Sequence, residues 1–223
     1  MEVKVVRKVL DVNNTNARRN RERFAENKVF VLNVMSSPGS GKTTLLEKTL
    51  ARIMPGIRSG VIVGDICTSH DADRLAKTGA PVVQVNTDEF GGDCHLAAHV
   101  IEKAAENLDL GELDLLIVEN IGNLVCPAEF DIGEDARAVV LSVTEGEDKP
   151  VKYPLMFREC DAAVLNKTDL LPYLDYDRDA ALGYIRQVHP GMPVFEMSTK
   201  TGEGLDAWID WIEGRMRLKA EGA

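Results

Sequence analysis

The apolar run Val29–Met35 leads directly into Ser36-Ser37-Pro38-Gly39-Ser40-Gly41-Lys42-Thr43-Thr44, and a helical pattern follows. No other feature of the chain constrains the fold as much. Strand, glycine-rich loop and helix, in that order, form the P-loop that cradles a phosphate chain. Gly39 and Gly41 let the backbone curl so that its N–H groups face an anion. The helix N-terminus adds positive dipole. Lys42 is placed to neutralise the β- and γ-phosphates, and Thr43 to offer its hydroxyl to Mg²⁺. Pro38, Ser40 and Thr44 complete the nucleotide loop. One departure is visible: Ser36 stands where the pattern has its first glycine.

Around this kernel, short β-branched runs alternate with helical patterns. Strands are expected near 29–35, 59–64, 82–85, 113–118, 137–143, 161–165 and 193–197. Helices are expected near 43–54, 71–78, 94–107, 177–188 and 205–218. Near-continuous apolar strands separated by helices predict an α/β fold, a mostly parallel seven-stranded sheet with helices on both faces. Ligands in such folds sit at the carboxyl ends of the strands. Residues 29–218 read as one such domain, after a polar helical segment at 1–28 and before a short tail at 219–223. The 26 basic and 36 acidic residues leave a net charge of −10, which argues against nucleic acid as a partner. No apolar stretch approaches bilayer length, and MEVKVVRKVL is too charged for a secretory signal. Four cysteines in 223 residues make no disulfide framework. The expectation is a cytoplasmic protein with reduced thiols and no membrane contact.

Asn166-Lys167-Thr168-Asp169 follows the apolar run Ala162–Leu165. It has the form of the NKxD motif of GTPases. An Asp there accepts hydrogen bonds from the ring N–H and exocyclic amine of guanine, a donor pair that adenine lacks. Lys167 would lay its stem along the base. Ser198-Thr199-Lys200, after the strand Pro193–Met197, fits the last GTPase motif, which meets the guanine oxygen. GTP and GDP are therefore the expected nucleotides. A P-loop kinase using ATP is the competing reading, and competition between the two nucleotides separates them.

A GTPase must sense its γ-phosphate. Leu113–Val118 leads into Glu119-Asn120-Ile121-Gly122, where GTPases usually carry Asp-x-x-Gly. Gly122 would give its N–H to the γ-phosphate, and Glu119 would reach the Mg²⁺ shell. Asp65, at a strand end, is a candidate Mg²⁺ ligand. Asp71 and Asp73 are candidates for orienting the attacking water, with helix capping as the plain alternative. No Gln stands in the usual water-orienting position. Intrinsic hydrolysis is expected to be slow, on the order of 10⁻⁴–10⁻² s⁻¹.

Gly91-Gly92-Asp93-Cys94-His95 reads as a helix start, with Asp93 as N-cap and Cys94 in the first turn, where the dipole favours thiolate. Thiolate and imidazole suit Zn²⁺ and Ni²⁺ alike. His99 would lie one turn on, on the same face as His95. Cys126 is a third candidate. It stands four residues beyond Gly122, a reach of at most ~14 Å, so the γ-phosphate contact and a metal ligand would share one mechanical element. On spacing alone, buried structural cysteines compete with a metal site. Cys160 reads as structural, and His189 as a loop residue.

Taken together, these motifs resemble the HypB family, GTPases that assist nickel insertion into nickel–iron hydrogenases. The likeness is carried by Ser36–Leu46, Gly64-Asp65-Ile66, Cys94-His95-Leu96, Glu119–Pro127, Glu145–Pro150 and Asn166–Pro172, and spans about residues 29–212. It implies a SIMIBI-like P-loop fold. It implies a Ni²⁺ or Zn²⁺ site at Cys94, His95 and Cys126, built at the interface of a GTP-dependent homodimer. A HypA-like nickel/zinc protein and the hydrogenase large subunit are the implied partners. Some relatives carry a Cys- or His-rich segment near the N-terminus; none precedes Val29 here. Asn14–Asn27, with Arg18, Arg19, Arg21 and Arg23, is a docking candidate, set against a plain solvated helix. Lys149 and Lys152 are weak candidates for reaching a phosphate from a facing subunit. The alternatives are a urease-type nickel GTPase, whose Cys-Pro-His motif differs from Cys94-His95, and a regulatory GTPase whose cysteines merely pack.

Overall fold

The computed structural model describes residues 4–65, 70–86 and 95–222. In chain order the elements are α1 (Lys4–Glu26), β1 (Phe30–Ser36), α2 (Lys42–Ile53), β2 (Ser59–Asp65), α3 (His70–Ala76), β3 (Val82–Asn86), α4 (Ala98–Ala105), β4 (Leu115–Gly122), α5 (Cys126–Glu129), β5 (Ala136–Ser142), α6 (Lys149–Lys152), α7 (Pro154–Glu159), β6 (Ala162–Asn166), α8 (Arg178–Val188), β7 (Val194–Glu196) and α9 (Leu205–Glu221). The seven strands form one sheet in the order β3-β2-β4-β1-β5-β6-β7. Every pairing is parallel.

The sheet is buried on both faces because side chains alternate across each strand. From β1 and β4, Phe30, Leu32, Val34, Leu115 and Ile117 face α2 and α9, where Leu46, Leu50, Trp208 and Ile212 complete the layer. Val29, Val31, Leu116 and Val118 face the other way, toward Phe24 of α1 and Ile101 of α4. On that second face, nearer β5 and β6, Met156 and Phe157 of α7 and Ile185 of α8 cover Val139, Leu141 and Leu165.

The structure adds the short helices α5, α6 and α7 to those expected, and four further departures bear on the site. First, β4 runs on to Gly122 because β1 continues to pair with it as far as Ser36. Between Val34↔Glu119 and Ser36↔Gly122 the register slips, so β4 carries one more residue than β1 there, a bulge beside the cleft. Second, α4 begins at Ala98, well after Cys94. Its first amide is capped from outside: Ala98 N donates to Asn13 Oδ1 of α1 at 2.9 Å. His95 therefore precedes the helix, and His99 is exposed in its first turn, so the two share no helical face. Third, the segment before Val29 packs one face of its helix on the domain and leaves the other exposed. Asn13, Ala17, Asn20 and Phe24 are buried, Asn20 Nδ2 donates to Ala98 O and Ile132 O at 2.8 and 3.0 Å, and Arg21 makes a two-pronged pair with Asp131. Fourth, α9 continues through Glu221, past the expected end at 218. Lys219 Nζ anchors that extra turn on Val29 O and Asp135 Oδ2, at 2.8 and 2.6 Å. Among the described residues, no helix is long and apolar enough to cross a membrane.

Candidate functional site

The carboxyl ends of β1, β2 and β4 open onto a cleft of about 540 Å³, lined by Ser36–Thr44, Gly64, Asp71, Arg74, Ile121, Gly122 and Lys167. Gly41, at φ 92°, is the left-handed turn that starts α2, and a side chain there would meet Asn166 Nδ2 at 2.6 Å. Only glycine meets both demands. Lys42 Nζ lies 2.6 Å from Glu119 Oε1, and Thr43 Oγ1 donates to the same oxygen at 2.7 Å. Glu119 is 1% exposed, and its second oxygen has no hydrogen-bond partner among the described residues. A buried carboxylate with a spare oxygen, beside a hydroxyl, is an oxygen donor set that suits Mg²⁺. Gly122 approaches the P-loop closely: a Cβ on it would stand 3.2 Å from Pro38 Cα.

The Asn166–Asp169 turn, the candidate for reading the base, is tied to this loop. Asn166 Nδ2 donates to Ser40 O at 3.0 Å, and Asn166 Oδ1 accepts from Thr199 N at 3.2 Å. Lys167 adopts φ 63°, a left-handed conformation rare outside glycine, and its Nζ reaches Gly39 O at 2.6 Å. Strain of this kind is held in place by its surroundings and concentrates at functional sites. Asp169 Oδ1 accepts from Ser198 Oγ at 2.6 Å. Ser198 and Thr199 are buried, while Lys200 is exposed at the turn that follows.

Asp71 lies in the first turn of α3, lines the cleft and stands 3.6 Å from Arg74. Asp73 shares that turn. The side chain of Asp65 and the whole of Cys94 lie outside the described residues, so their assignments rest on sequence. His95 stacks on Phe130 with ring centroids 3.7 Å apart. Phe130 caps the carboxyl end of α5, whose first residue is the half-buried Cys126. Cys126 is disulfide-bonded, which corrects the expectation that every thiol is reduced. His95 and the Cys126 helix are thus neighbours although 31 positions separate them. Cys160 is buried against Met156, and burial pushes its thiol pKa up, out of the reactive range. His189 is tied by Nδ1 to Phe157 O at 2.9 Å.

Arg74 and Asn33 are not legible as motifs, and Glu145 belongs to a stretch that the sequence singles out without giving this residue a role. Arg74 Nη2 bonds Thr44 Oγ1 and Glu47 Oε2 at 2.9 and 2.7 Å, so a guanidinium forms one wall of the cleft. Glu145 sits under the loop; burial raises its carboxyl pKa, and Ser37 and Lys149 pull against that. Asn33 is fully buried within β1. Its only signal in the sequence is a polar residue inside an apolar run.

Residues 30–196 match the family described as "CobW/HypB/UreG, nucleotide-binding domain". A hydrogenase maturation factor HypB of Escherichia coli K12 is 52% identical over 205 residues, which is 92% of this chain and 70% of the relative. The chain belongs to the HypB family. A hydrogenase/urease maturation factor HypB of Helicobacter pylori is 39% identical, over 97% of this chain and 89% of its own length. The crystal structure of HypB from that organism in complex with nickel superposes with a TM-score of 0.86 at 38% identity, covering 92% of this chain and 95% of that one. Membership makes this HypB-family chain a P-loop GTPase, with the guanine motif and the phosphate loop joined as described.

Proposed function

We propose that the protein is a GTP-hydrolysing metallochaperone that assists nickel insertion into a nickel–iron hydrogenase, with nucleotide-dependent dimerisation coupled to a Cys/His metal site. The observation that carries this reading is the course of one strand. β4 brings Glu119 to Lys42 and Thr43 and Gly122 to Pro38, and the chain then reaches Cys126 at the start of α5, whose other end carries Phe130, stacked on His95. The candidate nucleotide contacts Glu119 and Gly122 and the candidate metal ligand Cys126 thus follow one another within eight positions of the chain.

In the proposed cycle GTP binds with its phosphates on the amides of residues 38–44 and its guanine on Asp169. Lys42 exchanges Glu119 for the phosphates. Bound Mg²⁺ would be held by Thr43 and Glu119, with Asp65 as a further sequence-based candidate, and would neutralise charge between the β- and γ-phosphates. Asp71 or Asp73 orients the attacking water. Gly122 reports the γ-phosphate and draws Cys126 with it. Cys94, His95 and Cys126, as reduced thiolates and imidazole, hold Ni²⁺ or Zn²⁺, and a second copy completes the coordination. Hydrolysis loosens Gly122 and lets the ion pass on. The partners proposed are a HypA-like nickel/zinc protein and the hydrogenase large subunit, with the exposed Arg18 and Arg19 of α1 as a docking face. The name of the H. pylori relative, hydrogenase/urease maturation factor, keeps urease as the second client.

Nickel titration under reducing conditions, with size measured in GDP and in a non-hydrolysable GTP analogue, tests this. Cys94→Ser and Cys126→Ser should each weaken nickel binding strongly. Unchanged stoichiometry in both would leave a GTPase with packing cysteines.

A further inference from the structure

A chain of buried polar side chains crosses the sheet beneath the two metal-site segments. Asn120 follows Glu119 on the strand and points to the opposite face, the side of α1 and α4. Its Oδ1 accepts from Leu96 N at 3.2 Å and from Ile121 N at 3.0 Å. Its Nδ2 donates to Asn33 Oδ1 at 3.2 Å, and Asn33 Nδ2 donates to Glu134 Oε1 at 3.2 Å. Glu134 also accepts from Ile132 N at 2.8 Å and pairs with Arg137 Nε at 2.5 Å. Arg137 Nη1 then reaches Ala128 O, in the Cys126 helix, at 3.5 Å. Asn33, Asn120 and Glu134 are at most 7% exposed.

The chain begins one residue from His95 and ends two residues from Cys126. Its direction is fixed: a carboxylate only accepts, so Asn33 must donate to Glu134, and Asn120 must then donate to Asn33. Flipping either amide leaves a buried clash of like groups. The near end also touches the nucleotide cleft. Leu96 packs on Gly64, a cleft residue, so tightly that a Cβ there would fall 2.8 Å from Leu96 Cδ1. Asn120 lies within the bulge of β4, between Glu119 and Gly122. A bulge re-aims side chains, and here it places Asn120 on the face opposite Glu119 at the edge of the cleft.

From this geometry we infer that Asn120, Asn33, Glu134 and Arg137 are positioning residues that set the spacing of the His95 and Cys126 segments and tie that spacing to the nucleotide state of β4. The inference rests on the metal-site reading above and adds the element that links the two sites. A core with only a packing role has no need of four polar groups aligned between these two ends, since burying an unlinked set is costly.

The test uses the full reduced chain and Ni²⁺ alone, titrated in GDP and in a non-hydrolysable GTP analogue. The readout is the ratio of the two nickel dissociation constants. Asn120→Asp keeps both bonds accepted from Leu96 and Ile121 but loses the donor to Asn33. Asn33→Ser is too short to span its partners. Neither residue touches the cleft, so guanine-nucleotide affinity should stay within about twofold. The nickel ratio should collapse toward one, narrowing at least fivefold relative to wild type. Either variant suffices if the other fails to fold. A wild-type ratio retained in a folded variant overturns the inference and leaves the metal site standing. A wild-type ratio of one, with nickel binding still lost in Cys126→Ser, also overturns it. Nickel binding that survives Cys126→Ser overturns the metal-site reading and this inference together.

Discussion

Two glycines of the phosphate loop look alike in sequence and should answer differently to the same substitution. Gly39 and Gly41 both hold positive φ, 75° and 92°. Alanine at either position bears the left-handed penalty, about 1–2 kcal/mol. At Gly39 nothing lies within 4 Å of the added methyl, so the cost ends there. At Gly41 the methyl falls 2.6 Å from Asn166 Nδ2 and must drive that side chain away. Asn166 then loses its bonds to Ser40 O and Thr199 N, each worth about 1 kcal/mol. Gly41→Ala should therefore cost about 2 kcal/mol more than Gly39→Ala, roughly thirtyfold in an equilibrium constant. The loss can appear in either of two places. If the loop stays put, folding stability falls; if it relaxes, nucleotide affinity falls. The assay accordingly measures both, by denaturant unfolding of the nucleotide-free chain and by GDP binding, and adds the two losses. Equal totals for the two variants, within about 0.5 kcal/mol, would refute the argument that Asn166 locks the phosphate loop to the base-reading strand.

Asp169→Asn places an amide N–H₂ opposite the exocyclic amine of guanine, so GTP should weaken by about 10³-fold or more, while xanthosine triphosphate, with a carbonyl acceptor in place of that amine, should gain; unchanged GTP affinity sinks the assignment. Trp208 is fully buried and its Nε1–H donates to Thr49 Oγ1 at 3.0 Å; Trp208→Phe should cost about 1–2 kcal/mol and lower the melting temperature by about 3–6 °C. For the α1 contact, burial works to raise the Asp131 pKa, but Arg21 and Gly133 N–H outweigh it and hold the carboxyl below its ordinary value. The pair thus contributes fully above the unfolded value near pH 4 and fades as pH falls through the lower folded value. Asp131→Asn should cost about 1 kcal/mol at pH 7, kept small because Arg21 is nearly half exposed, and urea midpoints of variant and wild type should converge as pH falls below the unfolded carboxylate value near 4. A constant gap across that range would mean that the charge of Asp131 contributes nothing.

The sequence by itself determined what is local or carried by contiguous pattern. Seven strands appear near the seven apolar runs, and the reason is plainest in the central ones, which are buried on both faces and so apolar nearly throughout. The strand-loop-helix at residues 30–53 and the Asn-Lys-Thr-Asp turn follow from residue types whose backbone and hydrogen-bonding needs are satisfied within a few positions. What only tertiary structure decided involves partners distant in the chain. The start of α4 was misplaced because its cap, Asn13, comes from another helix 85 positions earlier. The length of β4 was set by its neighbour β1, and that of α9 by an anchor on Val29 and Asp135. Arg74 gave no motif because its role depends on α3 packing beside α2. Asn33 looked like an interruption in a strand, and its meaning appeared only when Asn120 and Glu134 were folded against it. Pattern along a chain reports which groups must be buried; which groups then satisfy one another is settled by the three-dimensional packing, since buried polar atoms take their partners from whatever the fold brings near.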